Sequence, residues 1–339
     1  MPFVIGETLE KLEIGEPQVY SNVAVYPLFS SLENIIPYRT LGEALADRVL
    51  NISEVSQGGS VPELAVENIA DYPVLLLDGE ELQGAKQNRV LNTTVLLKEH
   101  SKTVIPVSCT EQGRWSYNSN FFSDSGVVMN RTARLKKNVS VSDSMRHQGS
   151  FRSDQGEIWE EIHKMSSKRA FHSPTSAMKD VFEHSSEDMD SYLESFHLQE
   201  NQKGFIIGIN GHIAGMDYLS SFRAFGSLYG KLLKSYIMDA LLQERQVNKE
   251  IPEEKANFFL KSIIDTEETI HPSVSYGYDH RYEARHVIAS ALVAEGELVH
   301  LAAFSVDRMH RNGPMDGERG FVSLHRRRNS MRRNNENRE

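Results

Sequence analysis

The chain has 339 residues, 39% of them apolar and 25% charged, with a formal net charge of −10. That is enough for one large domain or two ordinary ones of globular composition. No apolar run approaches the roughly 20 residues that span a bilayer, and the acidic start MPFVIGETLEKLEIG lacks the pattern of a secretory signal. A single cysteine excludes an internal disulfide and suits a reducing cytoplasm. The negative balance argues against general nucleic-acid binding, which needs clustered Lys and Arg.

In chain order, residues 19–29 read as a first strand. Thr40 is placed to cap a short helix over LGEALADRV, because its hydroxyl can accept from an unpaired first-turn N–H. Residues 49–56 and 63–68 alternate partly and read as strands. Residues 74–77 form a continuous apolar run expected of a strand buried on both faces, broken by the turn-favouring Asp78-Gly79 step.

Residues 90–97 and 103–108 read as a hairpin across Glu99-His100-Ser101, in a register placing Leu97 opposite Thr103, Val95 opposite Ile105, Leu91 opposite Cys109 and Arg89 opposite Glu111. Pro106 has no amide donor, so its strand is expected at an edge or with a bulge. A helical middle follows, with helices over 154–167 and 175–196 and start signals at Ser153 and Ser173-Pro174. The Ser-rich stretch 139–149 has little core material and reads as a weak helix or an exposed connection.

The last third returns to strands. Asn210-Gly211 readily takes the two positive φ angles of a type I′ turn, predicting a hairpin over 205–217. A long amphipathic helix follows, a second begins at Pro252, and residues 283–293 and 297–306 form a final hairpin around Glu295-Gly296. Hairpins interrupted by helices predict an α+β fold of mostly antiparallel sheets. A single domain is expected over 1–320, β-rich over 1–125, helical over 130–200 and hairpin-helix-hairpin over 203–306. The basic stretch 321–339 reads as a disordered tail, the one place where a nucleic-acid contact is conceivable.

The richest chemistry lies in residues 78–115. Lys86, Gln87, Asn88, Arg89 and Asn92 precede one strand; Glu111, Arg114 and Trp115 follow the next. Lys and Arg can meet phosphate, Arg in bidentate fashion. Gln and Asn can read a sugar or base edge, and Trp115 offers a stacking face. Glu80 and Glu111 are acid–base candidates, with strand alternation placing Glu80 and Glu81 on opposite sides. The other reading of the same residues is an internal polar network holding an irregular sheet together.

Three further groups carry weaker signals. Cys109 has no His within ten residues except His100, at the wrong end of the expected turn, to activate it as a nucleophile, and reads as a small buried core residue. The 13 histidines show no H-x-x-x-H or C-x-x-C spacing, so no metal site is expected. The cluster YDHRYEARH, with His280 and His286, reads as the surface of a half-exposed strand.

The words DGEELQGAKQNRVLNTTVLL and IPVSCTEQGRW, with GFIIGINGHIAGMD as a less specific match, resemble the ADP-ribosylglycohydrolase and rhodanese-phosphatase-superfamily-associated protein domain family of prokaryotes. The resemblance spans most of the chain and leaves out the tail and the Ser-rich middle. It implies association with ADP-ribose-processing or phosphatase-like proteins and transfers no catalytic residue. Together with the residues above it leads to an expected function: binding or processing of a phosphorylated, ADP-ribose-like or nucleotide-like small molecule. The pocket is expected at the open end of the 90–108 hairpin. The alternative is a non-catalytic scaffold or adaptor with a structural polar network.

Overall fold

The computed structural model describes residues 4–56, 58–246 and 251–306; the basic tail predicted at 321–339 lies outside them. The architecture is α+β, as the alternation of hairpins and helices predicts, with almost entirely antiparallel sheets. The nine-stranded sheet runs Glu13–Ile14, Val23–Phe29, Gly204–Ile209, His212–Leu219, Glu297–Ser305, Val287–Ala294, Tyr278–Glu283, Glu268–Pro272, with Gln18–Tyr20 also on Val23–Phe29. A six-stranded sheet runs Phe122–Val128, Glu80–Gly84, Arg89–Leu91, Ser101–Cys109, Glu63–Asn68, Leu50–Glu54. The third sheet is Val95–Leu97, Val74–Leu76 and Arg39–Thr40, the last pair parallel.

Local chemistry sets several elements where the sequence places them. Asn210 and Gly211 have φ of 51° and 78°, and Glu295 and Gly296 of 48° and 76°, the paired positive angles of type I′ turns. Thr40 caps Leu41–Ala46: its Oγ1 accepts from Glu43 N–H, and the Glu43 carboxylate accepts from Thr40 N–H in return. This reciprocal box satisfies two first-turn donors. Thr40→Ala is expected to cost about 1 kcal/mol, read as a lower urea midpoint with an unchanged slope.

Elsewhere tertiary partners override the local reading. Residues 19–29 are two paired strands joined at Ser21, whose φ is 54°. The expected 90–108 hairpin does not form. Leu91 lies opposite Val107 and Arg89 opposite Cys109. Val95–Leu97 instead pairs with Val74–Leu76, and residues 101–106 pair with Glu63–Asn68. The chain leaves one sheet for another at residues 92–94, where all three side chains hydrogen-bond to distant elements. Pro106 is therefore not on an edge. It stands where its strand changes partner: Asn92 N–H donates to its carbonyl, and Val107 N–H to the Pro62 carbonyl.

The helical middle also differs in detail. Residues 139–149 belong to an 18-residue helix, Arg131–Gln148, closed by Gly149 at φ 63°. Its buried face carries Arg131, Arg134, Lys137 and Asn138, so an apolar-periodicity reading passes over it. Gln155–Lys168 is capped by Asp154, one residue after the expected Ser153. The helix expected over 175–196 is two, Met178–His184 and Ser186–Ser195. Ser173 Oγ accepts from Ala177 N–H at 2.9 Å just before the first.

The large sheet has two different faces. One packs Leu28, Ile206, Met216 and Leu301 against Ile5, Leu9, Phe259 and Ile263 from helices Val4–Glu10 and Glu253–Ile264. The other presents Asp217 and His300 toward Arg131–Gln148 and Phe222–Leu241. A second apolar cluster, with Leu41, Ile52, Leu64, Leu76, Leu82, Leu91 and Val107, fills the space between the two smaller sheets.

Candidate functional site

Seven of the nine residues singled out by sequence gather at the turn joining Glu80–Gly84 to Arg89–Leu91. Ala85 takes a φ of 41° there. The segment after Cys109 runs beside this turn, with Ser116 N–H donating to Lys86 O at 3.2 Å and Asn118 N–H to Ala85 O at 3.1 Å. Arg114 fastens the two together. Its Nε and Nη2 reach Glu111 at 2.9 and 2.7 Å, and its Nη1 reaches Ala85 O at 2.7 Å. Asn88 closes the buckle: its N–H donates to Glu111 Oε2, and its Oδ1 accepts from Gly84 N–H and Arg114 Nη2, each at 3.2 Å. Burial works to raise the Glu111 carboxyl, but bonds from Arg114, Thr175 and Asn88 outweigh it and hold the group below its ordinary range.

A second compartment lies beside this buckle. Arg89 is fully buried, and its Nη1 donates to Gln87 Oε1 at 2.9 Å. The Trp115 ring covers the guanidinium, with a centroid 5.5 Å from Arg89 Cζ, while 49% of Trp115 meets solvent. Lys86 Nζ lies 5.4 Å from the Trp115 centroid and 5.1 Å from that of Tyr117, and donates to Gly58 O at 2.7 Å. Each is a cation over an aromatic face, an arrangement favoured by the ring quadrupole.

Glu54, not singled out by sequence, completes this compartment. Its Oε1 stands 3.7 Å from Arg89 Nη2, and its side chain is 3% exposed. Both Glu54 oxygens and the Nε and Nη2 of Arg89 are buried, with no hydrogen-bond partner among the described residues. Cys109 is cross-strand from Arg89. Burial pushes its thiol up to about 11, so at neutral pH it carries too little thiolate to act as a nucleophile.

The other two predicted residues sit elsewhere. Glu80 is buried with Oε1 accepting from Lys231 at 2.9 Å and Oε2 from Leu77 N–H at 2.8 Å. Asn92 donates to Phe151 O at 2.9 Å and accepts from Ser108 Oγ at 2.7 Å. Glu81 points the other way from Glu80 and accepts from Thr110 at 2.6 Å, and burial pushes its carboxyl up to about 8.

The largest polar constellation was not legible as a unit. On the inner face of the large sheet, Asp217 accepts from Arg134 Nη1 and Nη2 at 3.0 and 2.7 Å and from Tyr236 Oη at 2.8 Å. Its other neighbour, His300, bonds Thr94 at 2.8 Å. Lys137 bonds Asp78 and the Asn92 carbonyl, and burial lowers its pKa to about 8. Arg281 spans Asp279, Asn138 and Thr93. Three cations and three carboxylates, all buried, thus neutralise one another.

Buried ion groups of this kind need such mutual satisfaction to be tolerated at all. Asp279, His280 and Arg281 are accordingly interior, whereas the sequence reading placed them on a surface; Tyr278, Arg285 and His286, at the ends of the cluster, are exposed. Asp217 lies within the strand His212–Leu219, and Ser221 caps Phe222–Leu241. The available signal was the 3–4 residue spacing of Arg131, Arg134, Lys137 and Asn138, a polar stripe on one helix face. Among the described residues no group of His, Cys, Asp and Glu is arranged to hold a metal ion. None of the described helices is long and apolar enough to cross a membrane.

These features define an α+β domain of antiparallel sheets whose signature segments converge on interior polar constellations. The segment beginning at Asp78 supplies Asp78, Thr93 and Thr94 to the ion network, and GFIIGINGHIAGMD supplies its last residue, Asp217. The chain belongs to the family described as ARG and Rhodanese-Phosphatase-superfamily-associated Protein domain, which matches residues 11–304. Its name links the domain to ADP-ribosylglycohydrolase and rhodanese-phosphatase proteins. No curated protein and no solved structure matches the chain.

Proposed function

We propose that this chain is a binding protein for a nucleotide-like small molecule, acting beside ADP-ribose-processing or phosphatase-superfamily enzymes. The observation that carries the reading is the Arg89–Glu54 compartment, where Arg89 Nε and Nη2 and both Glu54 oxygens have no hydrogen-bond partner among the described residues, beneath a half-exposed Trp115. Buried polar groups are almost always matched, so a concentration of unmatched ones points to a missing partner. A ligand inserted there would stack on Trp115 and bond the guanidinium behind it, with Lys86 at the rim.

Binding is proposed without turnover. The two acid–base candidates are committed to internal cations, Glu80 to Lys231 and Glu111 to Arg114. Arg114 also has every guanidinium nitrogen engaged, so it supports the loop and leaves phosphate contact to other groups.

A second reading, a scaffold that docks a protein, is favoured by a different observation. Trp115, Tyr117 and Phe121 are 49%, 49% and 57% exposed on one short segment, and aromatic residues are enriched among interface anchors. A thermal-shift screen with ADP-ribose, NAD, AMP and GMP separates the two. A ligand of the native state adds RT ln(1 + [L]/Kd), roughly 2.7 kcal/mol at a hundredfold excess over Kd. The expected result is a shift with at least one compound that disappears in Trp115→Ala, a variant folding as the parent does. No shift with any compound counts against the ligand reading and leaves the scaffold.

A further inference from the structure

Arg89 uses one edge of its guanidinium internally, giving Nη1 to Gln87. The opposite edge, Nε and Nη2, carries two parallel N–H groups with no acceptor. Facing it, Glu54 holds two carboxylate oxygens with no donor. The 3.7 Å between Nη2 and Oε1 is too long for a hydrogen bond. The pair attracts but does not satisfy itself. Gly59 lies alongside, in a left-handed conformation at φ 77°. A Cβ built there would stand 3.4 Å from both Glu54 Oε2 and Trp115 Cζ2. Lys86 Cδ would be closer still, at 3.2 Å, so Gly59 packs against Glu54, Lys86 and Trp115.

Resting on the ligand reading above, we propose that Arg89 and Glu54 form a clamp for an amide edge, a carbonyl oxygen beside an N–H, as in a lactam nucleobase or a carboxamide. The carbonyl accepts from Arg89 Nε and Nη2, and the adjacent N–H donates to Glu54. An amide's oxygen and nitrogen are about 2.3 Å apart by their bond lengths. Hydrogen bonds fanning from them end on protein atoms roughly 3–4 Å apart, the spacing observed. The inventory matches as well. A guanine edge offers two N–H donors and the acceptors O6 and N7, filling all four unmatched atoms. Phosphate and carboxylate offer acceptors only and would meet the Glu54 charge. Adenine offers one amino group beside a ring nitrogen and fills fewer.

Titration calorimetry on the full chain with two matched pairs tests this. NAD carries a carboxamide that ADP-ribose lacks, and GMP carries a lactam where AMP has an amino group. At least one amide-bearing member is expected to bind roughly tenfold to a hundredfold tighter than its counterpart. The pair that shows the preference tells carboxamide from lactam. Glu54→Gln, which replaces one acceptor by a donor, is expected to abolish the preference. Should that variant not fold, Arg89→Lys, which keeps the charge and loses the fork, is expected to abolish it instead.

Equal binding of ADP-ribose with NAD and of AMP with GMP overturns the amide clamp and leaves the ligand reading standing. A preference that survives in a folded variant overturns the clamp too. If none of the four compounds binds and a crystal structure shows only ordered water bridging Arg89 and Glu54, both readings fall.

Discussion

Asp217→Ala is expected to lower the unfolding free energy by about 3–5 kcal/mol, the cost of removing one member of a buried ion pair. Asp217 is fully buried and takes both terminal nitrogens of Arg134 as well as the Tyr236 hydroxyl. With alanine there, the one carboxylate left to the Arg134 guanidinium among the described residues is Asp78, at 3.7 Å from Nε, with the Phe304 ring 5.1 Å from Cζ. No solvent reaches it, so the charge is left without compensation. The surface pair Arg39–Asp47 is just as close, at 2.7 Å, with side chains 37% and 46% exposed. Asp47→Ala is expected to cost under about 1 kcal/mol. Urea unfolding followed by circular dichroism measures both. A double variant, Arg134→Met with Asp217→Leu, should recover much of the loss, because apolar residues of similar volume can replace a buried pair. A cost for Asp217→Ala no larger than for Asp47→Ala would show that the network is not holding the sheet to the helix.

Glu81→Gln is expected to stabilise the protein at alkaline pH. Glu81 is buried, its carboxyl pushed up to about 8 against an ordinary 4.5. Between those values the native state holds a proton that the unfolded chain releases. Stability therefore falls as pH rises through that window. Glutamine keeps an oxygen for the Thr110 hydroxyl and has no proton to lose. At pH 8 the variant should exceed the parent by on the order of 2–4 kcal/mol, the two curves converging near pH 4–5. Melting temperature against pH for both proteins reads the slope directly. Parallel curves would place Glu81 as an ordinary ionised carboxylate.

What the sequence disclosed was mostly local chemistry. The Asn210-Gly211 and Glu295-Gly296 turns, the Thr40 cap and the apolar strand at Val74–Leu76 are each set by neighbouring residues, and they form where expected. The partner of Val95–Leu97 was not legible. An apolar strand matches any apolar edge, and its actual partner is chosen by Asn92, Thr93 and Thr94 bonding to elements far along the chain. Arg131–Gln148 was hidden for the opposite reason. Its inward face is charged, and charge reads as surface until the acids that neutralise it are located.

The same contrast divides the candidate site. Lys86, Gln87, Asn88, Arg89, Glu111, Arg114 and Trp115 meet because one turn and the return of one strand bring them together. Asn92 and Glu80 lie within the same stretch but point into other constellations. Glu54 sits in a strand, LNISE, with nothing unusual in its local sequence. Its role follows only from the pairing that lays Leu50–Glu54 against Glu63–Asn68 in the same sheet as Arg89.

Trp115 itself offers the most direct test of the central claim, that a nucleotide-like ligand binds against it. The chain has two tryptophans, so Trp159→Phe leaves Trp115 as the only indole reporter. Titrating that variant with NAD and with GMP should give saturable change in its fluorescence for at least one of them, at the concentration that produces the thermal shift. Emission unchanged by either compound across that range, with Trp115 still half exposed, would contradict the claim.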